Sequence, residues 1–155
     1  GEAYGPASIH QAIHVCGAHR IGHGCRLRED GDLLHYVNDH RIALECCPSS
    51  NVQTGAVREL RRHPLKLYHD LGLRVTINTD NRLITDSTVS RELHLCPTQM
   101  GLDQDDILRV IITGFKAAFL PFHQKQTMVR TVSRELSNAA PAVEPLASHR
   151  ADVDA

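Results

Sequence analysis

Three residues of this sequence stand where side chains do chemistry: Glu2, His23 and Asp80, each just beyond a strand-like segment or the remnant of one. Together they offer a carboxyl group able to deliver a proton, an imidazole able to hold or accept one, and an oxygen ligand for a metal ion. Singly each has an ordinary explanation, because a carboxylate after a strand often caps a helix and a lone histidine is usually a satisfied structural residue. Their neighbours weigh the other way. Gly22 and Gly24 flank His23 and strip side chains from around the imidazole, leaving room for a substrate or a water molecule. Thr79-Asp80-Asn81 brings short polar groups together at a turn.

The elements that must hold these residues follow one pattern: an apolar run, a polar turn, then a stretch with helical periodicity, as in parallel βα units. Residues 19–23 form a short strand, followed by a helix over 30–39 with Leu33, Leu34 and Val37 on its apolar side. A second strand, 42–47, is stopped by Pro48. After a loop over 49–55 comes a helix over 57–71, ending at Gly72, where a C-terminal cap belongs. The third strand, 74–78, runs into Thr79-Asp80. Ahead of all this, residues 1–5 read as the exit of an earlier strand, and a helix starts at Pro6 and runs through Ile9, Ile13 and Cys16. Downstream, Asp103 and Asp106 form a capping pair, Ile107, Val110, Ile111 and Phe115 line one helical face, and Pro121 ends that helix. A last amphipathic helix covers 122–136. Residues 138–155, rich in Ala and Pro with mixed charge and no apolar period, are expected to be a disordered tail after a folded part spanning 1–137. The fold class is α/β, and polar residues at strand exits then belong to the rim where a (β/α)8 barrel builds its active site.

Composition excludes several functions. With 41% hydrophobic and 23% charged residues the 155-residue chain is an ordinary globular domain, and a formal charge of -1 supplies no basic field for nucleic acid or anionic membrane. No apolar run approaches the ~20 residues that span a bilayer. The five cysteines are odd in number and contain no Cys-x-x-Cys pair, which points to reduced, buried thiols and a cytoplasmic location. The histidines His35, His40, His63 and His69 read as surface residues, His10 and His14 as a core edge or solvated face, and Arg61-Arg62-His63 as a solvated helix face. Ser49, Ser50 and Asn51 cap turns, since no Gly-x-Ser-x-Gly elbow surrounds them.

At the motif level the resemblance is specific. Arg20-Ile21-Gly22-His23-Gly24 resembles the sixth-strand motif of the adenosine deaminase family, and Leu44-Glu45-Cys46-Cys47-Pro48-Ser49-Ser50-Asn51 is similar to its seventh-strand segment. Asn78-Thr79-Asp80-Asn81 matches the eighth-strand motif, Gly1-Glu2 looks like the end of the His-Ala-Gly-Glu motif, and Lys116-Ala117-Ala118-Phe119-Leu120-Pro121 resembles a late helix. The resemblance covers roughly four fifths of the chain and implies the C-terminal half of a (β/α)8 barrel. It further implies zinc-dependent hydrolytic deamination of adenosine or 2′-deoxyadenosine. In that reading Glu2 protonates the purine ring nitrogen beside the attacked carbon, and His23 orients the metal-bound water and can accept its proton. Asp80 is the carboxylate ligand of Zn²⁺. Asn81 stands where many relatives carry a second aspartate, and its amide would donate to a purine nitrogen at any pH.

The resemblance also calls for a His-x-His pair and a histidine two residues before Glu2's glycine, and none of these occurs in the sequence. The chain starts at Gly1 without a methionine and reads as part of a longer enzyme, inactive by itself, whose open sheet edges invite self-association. The competing readings are a non-catalytic remnant or interaction module, and a related adenine or AMP deaminase; stoichiometric zinc together with inosine production separates the first from the enzyme.

Overall fold

The computed structural model describes residues 1–139. Its sheet has three parallel strands, β1 (Arg20–Gly22), β2 (Ala43–Cys46) and β3 (Val75–Ile77), in the order β1-β2-β3. Register puts Ile21 beside Leu44 and Leu44 beside Val75, so three buried aliphatic side chains line up across one face of the sheet. The connecting helices cover that face. Helix α1 (Pro6–His14) contributes Ile9, α2 (Gly31–Asp39) contributes Leu33, Leu34 and Val37, and α4 (Leu65–Asp70) contributes Leu65 and Tyr68. Burying each such aliphatic side chain favours folding by about 1.5–3 kcal/mol, and this core holds the strand ends at one level. On the opposite face Arg20 approaches Glu45, with Nε 3.0 Å from Oε1, and the Arg20 guanidinium lies over the Phe119 ring.

Helix boundaries follow local chemistry. Pro6 occupies the first turn of α1 behind Gly5, whose φ of 107° suits a residue without Cβ. Asp30 caps α2 by accepting the Leu33 amide at 2.9 Å. Gly72, with φ 81°, follows α4 as expected and donates to His69 O at 2.9 Å. The Asp103–Asp106 capping box opens α7 (Gln104–Ala117) with both of its bonds made, at 2.8 and 3.2 Å.

Three expectations are corrected. The segment after β2 is a short helix, α3 (Pro48–Gln53), because Pro48 takes the N1 position, where its missing N–H costs nothing; it starts a helix as well as stopping a strand. The helix expected over 57–71 is cut down to α4. Gly55 lies at φ 75°, the Val57 amide turns back to Asn51 O, a 3-10 turn occupies Leu60–Arg62, and Pro64 precedes the first helical residue. The helix ahead of Pro121 ends at Ala117, where the backbone of Ala118 turns extended. Two helices had no counterpart in the sequence reading: α5 (Arg82–Thr85) and α6 (Val89–Gln99), the latter with Pro97 inside it and Thr88 as its cap. Helix α8 (Phe122–Ala139) runs past the expected boundary at 137, and the remainder of the expected tail lies outside the described residues. No helix among the described residues is long and apolar enough to cross a membrane.

Candidate active site

The three parallel strands deliver their C-terminal ends to one rim. His23 is the first residue beyond β1, held by its own amide, which donates to Glu45 O on β2 at 2.9 Å. Asp80 lies three residues beyond β3. Both adopt left-handed backbone, φ 64° at His23 and 58° at Asp80, a conformation costing a non-glycine residue on the order of 1 kcal/mol and frequent where function fixes a side chain. The segment carrying Glu2 arrives beside β1: a Cβ on Gly1 would fall 2.7 Å from the Gly22 carbonyl oxygen, so only glycine lets the chain pass this close.

Glu2 and His23 meet. Glu2 Oε2 lies 3.9 Å from His23 Nε2, both side chains being about one fifth to one quarter exposed. The loop behind His23 is braced from α4: the buried Tyr68 hydroxyl donates to Gly24 O at 2.9 Å and accepts the Arg28 amide at 2.9 Å. Asp80 is exposed, and its Oδ2 accepts the Ser50 hydroxyl at 2.7 Å. Asn81, also exposed, caps α5 through Oδ1, which accepts the Leu83 and Ile84 amides at 3.1 and 3.4 Å.

The residues that join these parts sit on or next to α3: Ser49, Ser50 and Asn51, expected to cap turns, instead bond to groups from distant segments, and Thr54, not singled out in the sequence, joins them. Asn51, with no exposed surface, donates from Nδ2 to Glu2 Oε1 at 3.0 Å and contacts His23 Nδ1 at 2.9 Å. Thr54 donates its hydroxyl to the same Glu2 oxygen at 2.6 Å. Ser50 holds Asp80, and the Ser49 amide donates to Oε2 of the buried Glu92 at 3.0 Å, while Ser87 donates to Glu92 Oε1. The signal was available in the sequence: Asn51 and Thr54 are three apart, which places them on one side of a helix, but only once Pro48 is read as a helix start.

His63, expected at the surface in a solvated helix face, is buried. Its Nε2 lies 3.1 Å from Asn51 Oδ1 and its Nδ1 accepts the Leu65 amide at 3.1 Å. Burial, helped by the nearby charge of Arg28, lowers its pKa from 6.5 to about 4, so the ring is neutral at physiological pH. His69 is likewise mostly covered, its Nδ1 3.5 Å from Asp106 Oδ1, whereas Arg61, Arg62, His35 and His40 are exposed as expected. Four of the five cysteines are buried and none is in a disulfide. Desolvation pushes the Cys25 thiol up to about 11 and that of Cys47 to about 12, so neither supplies a thiolate. For a cation the rim therefore offers Asp80, whose Oδ1 accepts no hydrogen bond among the described residues; no group of three or more His, Cys, Asp or Glu is placed there to complete a set.

Comparison with known proteins points one way. The family model for adenosine deaminase matches residues 1–135. The chain is 43% identical over 143 residues to the adenosine deaminase of Mycobacterium tuberculosis, an alignment covering 85% of this chain and 39% of that protein. Among solved structures it superimposes on the adenine deaminase of Arthrobacter aurescens with a TM-score of 0.82 at 26% identity, covering 88% of this chain and 42% of that one. It also superimposes on an amidohydrolase of Burkholderia ambifaria solved with bound Zn, with a TM-score of 0.79 at 17% identity over 87% of this chain and 38% of that one. The chain thus spans about two fifths of the length of the curated relatives it matches.

Proposed function

Because this chain belongs to the adenosine deaminase family, we propose that it supplies the proton-handling half of an active site for hydrolytic deamination of adenosine or 2′-deoxyadenosine, within a longer zinc enzyme. The observation that carries this reading is the meeting of Glu2 and His23, from separate segments, on the rim where Asp80 is also held.

Glu2 is the proton donor. Its Oε1 accepts from both Asn51 and Thr54, which leaves Oε2 as the oxygen free to carry a proton. A proton delivered from there to the purine nitrogen beside the amino-bearing carbon draws electron density from that carbon and opens it to attack. His23, at Glu2's side, orients the attacking water. Asp80 would contribute one oxygen to zinc, a ligand type that suits this borderline cation, and its Ser50 bond keeps that carboxylate from rotating. Zinc, when bound, supplies ionised water at neutral pH. Asn81, its Oδ1 committed to α5, retains two amide protons to donate to the purine. The reading also takes the enzyme to be cytoplasmic, in keeping with its unpaired cysteines.

The likeness to an adenine deaminase favours one second reading, the free base as substrate. Expressing the open reading frame with the codons that precede Gly1, loading the protein with zinc and offering adenosine, 2′-deoxyadenosine, adenine and AMP separates them. Inosine and ammonia in equal amounts from adenosine are expected. Turnover of adenine or AMP alone would replace the nucleoside reading, and absence of any product with zinc bound would leave a non-catalytic remnant.

A further inference from the structure

The polarity of the contacts around Asn51 can be traced from a group that cannot change its role. The Leu65 backbone N–H is always a donor, so the His63 Nδ1 it meets at 3.1 Å must present a lone pair. A neutral imidazole with an unprotonated Nδ1 carries its proton on Nε2. That N–H then donates to the atom 3.1 Å away, which is Oδ1 of Asn51 and not its amide nitrogen. With the amide orientation settled, both Nδ2 protons of Asn51 point to acceptors: one to Glu2 Oε1 at 3.0 Å, the other to His23 Nδ1 at 2.9 Å. His23 Nδ1 is therefore a lone pair, and its proton sits on Nε2, the nitrogen 3.9 Å from Glu2 Oε2. Four bonds of fixed sense run from the backbone of α4 to the two reactive side chains.

We infer that His63 and Asn51 are positioning residues that set the tautomer of His23 and the orientation of Glu2, so that His23 presents N–H, as a donor, to the space where the reaction takes place. This rests on the deaminase reading for its purpose but not for its geometry. Asn51 is completely buried, as is most of His63, and neither side chain has a competing water-exposed face. An amide buried between three polar partners is costly if turned the wrong way, since each mispaired group forfeits its hydrogen bond in a site with little access to solvent. The device also separates duties: Ser50 on the same helix holds Asp80, while Asn51, the next residue, holds Glu2 and His23.

Long-range proton–nitrogen correlation NMR on this chain, isotope-labelled and without substrate or metal, reads the tautomers directly. His23 and His63 are assigned by the signals lost in His23→Gln and His63→Gln. Near neutral pH both rings are expected as Nε2–H with an unprotonated Nδ1, with a scalar coupling across the hydrogen bond from Asn51 Nδ2 to His23 Nδ1. In Asn51→Asp the carboxylate can only accept, and His23 is expected to switch to protonation at Nδ1. The tautomer of His23 and the coupling across the bond from Asn51 are read in the unaltered chain, which keeps the test decisive even if Asn51→Asp fails to fold; His63→Gln, whose amide can donate in place of the imidazole, is expected to leave His23 unchanged. A protonated Nδ1 on His23 in the unaltered chain, or a His23 signal indifferent to Asn51→Asp in a folded protein, overturns the inference. In the longer enzyme Asn51→Asp is expected to lower kcat by about 10- to 100-fold with little change in KM. If the tautomers are as stated and no deamination is found, the relay stands and the functional reading fails.

Discussion

Asn81 shows how much one side chain can be asked to do. Its Oδ1 accepts two amides at the start of α5, and the bond to the Leu83 amide at 3.1 Å is an ordinary N-cap contact. The functional proposal uses the other end of the same group, the Nδ2 protons. Serine separates the two duties, because it caps helices about as well as asparagine but has no amide to donate. In the longer enzyme Asn81→Ser is expected to shift unfolding by less than about 0.5 kcal/mol while raising KM about tenfold, the loss of one hydrogen bond to substrate. An unchanged KM would reduce Asn81 to a helix cap.

Helix α3 and the segment leading to α4 act together as elements. α3 is six residues long, and its own backbone bonds are too few to keep it formed in isolation. What holds it is the set of contacts from Ser49 to Glu92, Ser50 to Asp80, and Asn51 to Glu2, His23 and His63. His63 makes this assembly sensitive to acid. Its folded pKa of about 4 lies below the ordinary 6.5 because burial disfavours the charged ring, so between these values the unfolded chain binds a proton that the folded chain does not. Stability therefore rises with pH through this window and is complete above about 6.5; lowering the pH to about 4 is expected to remove on the order of 3 kcal/mol. Urea unfolding of the longer enzyme across that range measures it. His63→Gln, which cannot titrate, should flatten the response, and an equally steep loss in that variant would assign the acid sensitivity to other groups.

For the molecule as a whole, the sheet is the element left unfinished. Among the described residues β1 and β3 each pair with β2 alone, whereas strands of a closed (β/α)8 barrel pair on both sides. Unpaired backbone donors and acceptors along a parallel sheet edge invite pairing with another chain. The isolated chain is expected to associate, with a weight-average mass in sedimentation equilibrium that rises with concentration, and to unfold without a sharp, concentration-independent transition. A monomer at all concentrations with one cooperative transition would show that these edges are tolerated in water.

The sequence by itself determined the βα order, the strand exits at His23 and Asp80, and the family. These are local matters: an apolar run sets a strand, glycine permits a tight approach, and a motif such as Arg20-Ile21-Gly22-His23-Gly24 is read along the chain. The Asp103–Asp106 capping box was also legible there, as was the burial of four of the five cysteines, Cys16 being exposed. Only the tertiary structure decided what touches Glu2 and His23. Asn51 is 49 residues from Glu2 and 28 from His23, and His63 is 12 beyond Asn51, so no local periodicity links them. His63 looked like part of a charged surface beside Arg61 and Arg62, and burial of its ring is set by how Pro64 and α4 pack, not by its neighbours in sequence. Three residues at strand ends were enough to suggest the chemistry. The inferred direction of the hydrogen bonds to Glu2 and His23 traces back to a backbone amide on α4, a group that every non-proline residue carries and that acquires meaning only from its place in the fold.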